Sequence, residues 1–341
     1  MKNLGVVNLN KIRNASDLKK LFSPKFLESD TFIIKPNWFS PHPGNFTEAK
    51  ALRLLFEALN GKILIIESYT LEKQDGNLKF IVEDHEVDWK WIMEHPDWKW
   101  IKEKGRWDQL RKQDEWFLSE FGFKDLISEF GVEYINITEE IWQGRSVEYK
   151  TIKKKVERKY PPVVKDKLYQ LFPSKLLKYK DQILISFGKI KGIKSTYPSL
   201  TMKNMFGLIP DPLRSWWHGP EDSLLSQNII DINKIYAALF DVYGLCEGIY
   251  SATFSNPKGN IHVPWGNYDI IENLGIAAFS NHLVSLDALI CGLIDINPSQ
   301  VEYVKLGEEI FGRIDVKELN NVKTIRENWF PTLTKLLKNF H

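Results

Sequence analysis

A strand–helix–strand run near the N-terminus constrains this chain more than any other feature. Thr31-Phe-Ile-Ile34 is a short apolar, β-branched run. Lys35-Pro-Asn37 closes it, because Pro36 has no N–H to give to a central ladder. The loop Ser40-Pro-His-Pro-Gly-Asn45 is dense in breakers. Thr47 then caps a helix expected over residues 48–60, with Leu52, Leu55, Phe56 and Leu59 on one face and Gly61 at its stop. Lys62-Ile-Leu-Ile-Ile66 follows as a second buried strand and leads into Glu67 and Ser68. A crossover of this length joins parallel strands, so the expected fold class is α/β, with a largely parallel sheet or sheets flanked by helices.

The rest of the chain returns to this punctuation. Residues 123–130 read as a helix and residues 132–136 as a strand. Ile183-Leu-Ile-Ser-Phe187, Ala237-Ala-Leu-Phe240 and Gly275-Ile-Ala-Ala-Phe279 read as further strands, residues 224–236 as an amphipathic helix and residues 284–293 as a helix. The 341 residues suit two domains or one with an insertion. The reading is one α/β domain over residues 1–315, with room for two lobes meeting near 170–185, and a helical segment over 316–341. Residues 150–167, with Lys153-Lys-Lys155 and the Pro161-Pro162 break, read as an exposed, loosely ordered connection.

Residues 75–120 stand apart as a tryptophan-rich insertion. Trp89, Trp91, Trp98, Trp100, Trp107 and Trp116 are half of the chain's twelve tryptophans. Asp88-Trp-Lys-Trp-Ile92 also recurs as Asp97-Trp-Lys-Trp-Ile101. Such a segment can act as a lid, dock a protein partner through Trp anchors, or simply pack. Stacking on bases is disfavoured, because Asp88, Glu94 and Asp97 offset Lys90, Lys99 and Lys102.

Composition excludes several classes. With 46 basic and 44 acidic residues the net charge is +2, which points to neither a nucleic-acid nor a membrane partner. Two cysteines, Cys246 and Cys291, are too few for an iron–sulphur cluster or an all-cysteine zinc site within one chain. They are expected as unpaired thiols in a reducing interior. No apolar run is long enough to span a membrane and residues 1–10 carry no cleavage pattern, so the expected address is the cytoplasm. The seven histidines show no metal spacing. A divalent cation such as Mg²⁺ on carboxylates stays open.

Each expected strand is followed closely by residues able to do chemistry. The first gives Lys35 and Asn37, the second Glu67 and Ser68, the third Lys189 and Lys191, the fourth Asp241, and the fifth Ser280 and Asn281. Parallel strands would bring them all to one edge, outside which open α/β sheets bind ligands. Lys35, Lys189, Lys191, Lys194 and Lys203, with Asn37 and Asn204, would hold an anion. Glu67, Asp241, Glu247 and Asp287 are the acid/base or cation-holding candidates, with Glu247 read in a tight turn between Gly244 and Gly248. The competing reading for each is a solvated charge or a surface ion pair. His218, after Trp216-Trp217, reads as a packed or exposed histidine rather than a pocket wall. No glycine-rich Walker or Rossmann fingerprint is present.

In order along the chain, Ile34-Lys-Pro-Asn37, Pro43-Gly-Asn-Phe-Thr47, Glu67-Ser68, Gly122-Phe-Lys-Asp-Leu126, Gly131-Val-Glu133, Leu200-Thr-Met-Lys-Asn-Met-Phe-Gly207, Cys246-Glu-Gly248 and residues 279–292 with Asp287 resemble the family called Domain of Unknown Function 362. The resemblance implies an α/β fold and often an appended ferredoxin-like iron–sulphur module, for which this chain lacks the cysteines. The family's Lys-x-Lys-Thr-His segment reads Lys189-Ile-Lys-Gly-Ile193 here, without the histidine. It implies positions rather than a reaction.

The expected function is an enzyme that binds a small phosphate- or carboxylate-bearing metabolite or cofactor at the C-terminal edge of its sheet. The alternative is a non-catalytic binding or assembly protein that docks a partner on the tryptophan-rich insertion.

Overall fold

Alternation along the strands builds two cores, one on each face of a sheet. In the computed structural model, Phe32, Ile34, Ile63, Ile65, Ile183, Ile185 and Phe187 enter one core, and Ile33, Leu64, Ile66 and Leu184 enter the other. Each such side chain contributes about 1.5–3 kcal/mol on leaving water. The structure describes residues 6–73, 94, 99–103, 105–192, 198–263, 266–314 and 322–329.

The strands are β1 (Asn8–Lys11), β2 (Thr31–Pro36), β3 (Lys62–Glu67), β4 (Glu133–Asn136), β5 (Ile183–Lys189), β6 (Asp241–Gly248), β7 (Ser251–Ser255), β8 (Ile261–Val263), β9 (Gly266–Glu272) and β10 (Ile276–Ser280). Seven form one sheet in the order β1-β10-β6-β5-β2-β3-β4, and β7-β9-β8 form a smaller one. From β4 to β6 neighbouring strands are parallel. At β6 the direction reverses: β10 runs antiparallel to β6, and β1 antiparallel to β10. Because β5 lies between β2 and β6, strands from both halves of the chain share one sheet.

Helix α1 (Ala49–Ala58) is the crossover between β2 and β3, and it lays Leu52, Leu55 and Phe56 on the first core. It begins without a side-chain cap. Thr47 is engaged elsewhere, accepting the Asn37 N–H at 3.1 Å. Gly61 follows with φ 147°, where a Cβ would lie 2.8 Å from the Asp30 carbonyl oxygen. On that same side lie α2 (Trp107–Glu120) and α3 (Phe123–Glu129), through Phe117, Phe123 and Leu126. The other face is covered by α4 (Tyr149–Glu157), α5 (Thr201–Met205), α6 (Leu225–Ala237), α7 (Leu283–Leu293) and α8 (Glu302–Phe311).

Three expectations need correction. Residues 237–240 are not a strand. Helix α6 runs to Ala237, and Ala238, Leu239 and Phe240 pack as its continuation, so the strand starts at Asp241. Short apolar runs do not separate helix from strand. Residues 150–167 are not loose: α4 buries Ile152 and Val156, four residues apart, and turns its lysines outward. Glu247 lies inside β6 rather than in a turn. Gly244 is needed there for space, since a Cβ would stand 2.6 Å from Leu286 Cδ2.

Part of the tryptophan-rich insertion, including Trp89, Trp91 and Trp98, lies outside the described residues. Of the rest, Trp107 donates its indole N–H to Glu139 at 2.8 Å and meets Trp142 edge-on at 5.5 Å. Trp116 meets Phe121 edge-on. Within 316–341, residues Val322–Trp329 are helical, and Val322 is buried in the second core. Among the described residues no helix is long and apolar enough to cross a membrane.

Candidate functional site

The parallel strands β2, β3 and β5 end on one edge, and α5 with the chain through residues 206–218 covers it. A cavity of about 380 Å³ lies beneath, lined among others by Lys35, Glu67, Glu72, Lys191, Lys203, Arg214 and His218. Trp38, Phe39, Phe206 and Leu213 supply apolar wall.

Lys35 is anchored from several directions. Its ammonium donates to Glu67 Oε2 at 2.9 Å, to the Pro36 carbonyl at 2.7 Å and to Asn204 Oδ1 at 3.4 Å. Asn204 in turn donates to the Lys35 carbonyl at 2.8 Å and to Ser186 Oγ at 3.1 Å. Burial brings the Lys35 ammonium down to about 8 despite the Glu67 charge. Gly207 makes room for it, since a Cβ there would stand 2.8 Å from Lys35 Nζ. Asn37 reaches the cavity while its amide holds the breaker loop, donating to the Asn45 carbonyl at 2.7 Å.

The other cations are less compensated. Lys191 Nζ reaches the Asn45 carbonyl at 3.4 Å and lies 5.2 Å from the Phe39 ring centre. Burial, with Lys35, Lys203 and Lys189 as like-charged neighbours, pushes it well below the usual lysine range. Lys203 sits 4.3 Å over the Phe206 ring and retains some exposure. The surrounding protein still pushes it down to about 7. Arg214 donates to the Tyr69 and Gly207 carbonyls at 2.9 and 3.1 Å. Among the described residues, Lys191, Lys203 and Arg214 have no carboxylate within ion-pair distance. Glu72 lines the same cavity, and burial pushes its carboxyl up to about 7 against the pull of the Arg214 charge.

Four expected site residues fall elsewhere. Lys189 and Glu247 share the edge but lie outside the cavity, in a closed ion cluster. Lys189 donates to Glu247 at 2.9 Å and to Glu48 at 2.8 Å, and Ser251 donates to Glu48. Burial opposes the Lys189 charge, but the two carboxylates outweigh it and hold the ammonium protonated. Asp287 is fully buried, and it is occupied at the start of α5. It accepts the Thr201 and Met202 N–H groups at 3.0 and 2.9 Å and the Thr201 hydroxyl at 2.5 Å. Asp241 is exposed at the start of β6, opposite Ile183, and therefore on the far edge of the sheet. Ser280 and Asn281 are carried there too, because β10 is antiparallel. Asn281 and Asp241 border a separate, wider cavity.

Sequence reasoning missed Arg214, Glu72 and Glu48, and it set His218 aside. Arg214 and His218 lie in and around a four-residue helix, Ser215–His218, too short to show periodicity. His218 bonds Asp222 at 2.7 Å through Nδ1. Cys246 and Cys291 are both buried and free. Among the described residues no group of three or more His, Cys, Asp or Glu side chains is arranged to hold a metal ion.

The fold and this edge define an α/β protein with a mixed seven-stranded sheet and a cation-rich cavity at the ends of its parallel strands. The chain belongs to the family described as Domain of unknown function (DUF362), which it matches over residues 33–292. That stretch holds every residue of the cavity wall named above. No curated protein and no solved structure matches the chain.

Proposed function

We propose that the cavity binds a small metabolite or cofactor through a phosphate or carboxylate group, and that the protein is an enzyme acting on it. The observation that carries this reading is the excess of positive charge on the cavity wall. Glu67 answers Lys35, while Lys191, Lys203 and Arg214 have no carboxylate partner among the described residues. Buried charge is costly unless it is paired, and an anion in the cavity would supply the missing partner. The enzyme reading draws on titratable groups on one cavity wall brought close to neutrality, with Lys203 and Glu72 both near 7. Two buried free thiols are in keeping with a reducing cytoplasm as the location.

The test is a thermal-shift screen with sulfate, inorganic phosphate and small dicarboxylates, with and without Mg²⁺. An anion that binds the native state raises Tm by mass action. Lys191→Met is expected to shrink the anion-induced rise in Tm. Absence of any anion-induced rise in the wild-type protein would remove the proposal.

A further inference from the structure

We propose that Lys203 is a nucleophile that forms an imine with the aldehyde or ketone group of an anion held in this cavity, with His218 and Asp222 as the proton-transfer pair. This rests on the anion-binding reading above and adds the reactive group of the ligand.

Three cationic side chains reach the cavity beside Lys203, and they divide by what they already hold. Lys35 is tied to Glu67, Asn204 and the Pro36 carbonyl. Arg214 spans the Tyr69 and Gly207 carbonyls, and Lys191 reaches the Asn45 carbonyl. Lys203 Nζ has no hydrogen-bond or ion-pair partner among the described residues and lies over the face of Phe206. An amine in that setting loses its proton readily, and the neutral amine is the nucleophile. The anchored cations are left to hold the anionic group.

His218 lines the same cavity and meets the Phe206 ring edge-on, the ring centres 5.3 Å apart. The Asp222 carboxylate only accepts, so Nδ1 carries the proton and Nε2 keeps its lone pair. Burial, above all, holds the imidazole neutral, at about 4. The Asp222 carboxylate is presented by a strained turn: Glu221 and Asp222 are consecutive non-glycine residues with φ of 51° and 62°. Left-handed conformations at such residues are costly and gather at functional sites.

The step balances without an oxidant. The Nζ lone pair forms a bond to the carbonyl carbon as the C=O π pair moves to oxygen; His218 Nε2 takes one proton from the now cationic nitrogen and gives it to that oxygen, which yields a neutral carbinolamine. The nitrogen lone pair then forms the second C–N bond as the C–O bond breaks, and His218 carries the remaining N–H proton to the departing hydroxide. Water leaves and the C=N bond remains.

The test treats the full chain with glyoxylate or pyridoxal 5′-phosphate, reduces with cyanoborohydride and maps the adduct by peptide mass spectrometry. The adduct is expected on Lys203, suppressed by inorganic phosphate and absent in Lys203→Arg. His218→Gln is expected to slow trapping by about a hundredfold, the size of a typical acid–base contribution. An adduct on Lys35 or Lys191, labelling spread over surface lysines, or a trapping rate unchanged in His218→Gln each overturns the proposal. The wild-type map decides even where a variant fails to fold. Labelling that misses Lys203 while sulfate still raises Tm ends this inference and leaves anion binding standing. No rise with sulfate or phosphate ends anion binding itself.

Discussion

Lys35 and Glu67 hold each other at 2.9 Å from the ends of two adjacent parallel strands, both closed to solvent. Neither residue is interchangeable with a surface charge. Removing one member of such a pair leaves the other charged, buried and alone, which costs about 3–5 kcal/mol. Glu67→Gln is therefore expected to lower the unfolding free energy in urea by that amount. Replacing both residues together, as Lys35→Met with Glu67→Gln, is expected to recover much of the loss. Equilibrium unfolding of the single and double variants checks this.

Gly207→Ala tests the same ammonium sterically. The added Cβ would sit 2.8 Å from Lys35 Nζ and 2.9 Å from Cε. Overpacking of this kind costs about 1–3 kcal/mol. The displaced ammonium is also expected to leave a smaller sulfate-induced rise in Tm than in the wild-type protein. Differential scanning with and without sulfate reads both effects.

The pH dependence has a definite sign. In the folded protein Lys203 and Lys35 sit at about 7 and 8, below the ordinary lysine value of 10.5. The unfolded chain therefore binds more protons across this interval. Stability from these two groups is fully present above the unfolded value and is lost as pH falls through about 8 and 7. An anion reverses this by favouring the ammonium forms. Sulfate, whose own charge is constant here, is expected to raise Tm more near pH 6 than near pH 9.

Asp287→Ala is expected to act on stability first. Three donors at the head of α5 lose their acceptor, at about 1–3 kcal/mol for a buried group left unsatisfied. Chemical denaturation measures the loss. Thr201→Ala removes one of the three bonds and is expected to show a fraction of it.

Asp241→Asn serves as the control on the far edge. The carboxylate is exposed and borders a different cavity. Stability is expected to stay within about 0.5 kcal/mol, with the sulfate-induced Tm rise unchanged.

The strand–helix–strand unit was legible because its apolar runs alternate with clear breakers, and Lys35, Asn37 and Glu67 followed from it. Lys191, Lys203 and Asn204 were also placed at the cavity, since they follow β5 and lie on or before the helix above it. Asp241, Ser280 and Asn281 were misplaced for one reason. Strand direction past β6 depends on which neighbours pair, and no local pattern carries that. Asp287 was read as chemistry because a buried cap and a buried acid look alike in a sequence. Arg214 and Glu72 were invisible, since both come from irregular chain with no period to mark them.

Lys35 and Asn204 touch across 169 positions of chain, and the amide of Asn204 closes on Lys35 from both its carbonyl and its ammonium. No autonomous fragment can therefore present this pocket. Its walls meet only where β5 lies beside β2, a pairing of strands far apart in the sequence. Occupancy by an anion would thus report completion of the whole sheet. A nascent or clipped chain without β5 would have one wall of the cavity missing.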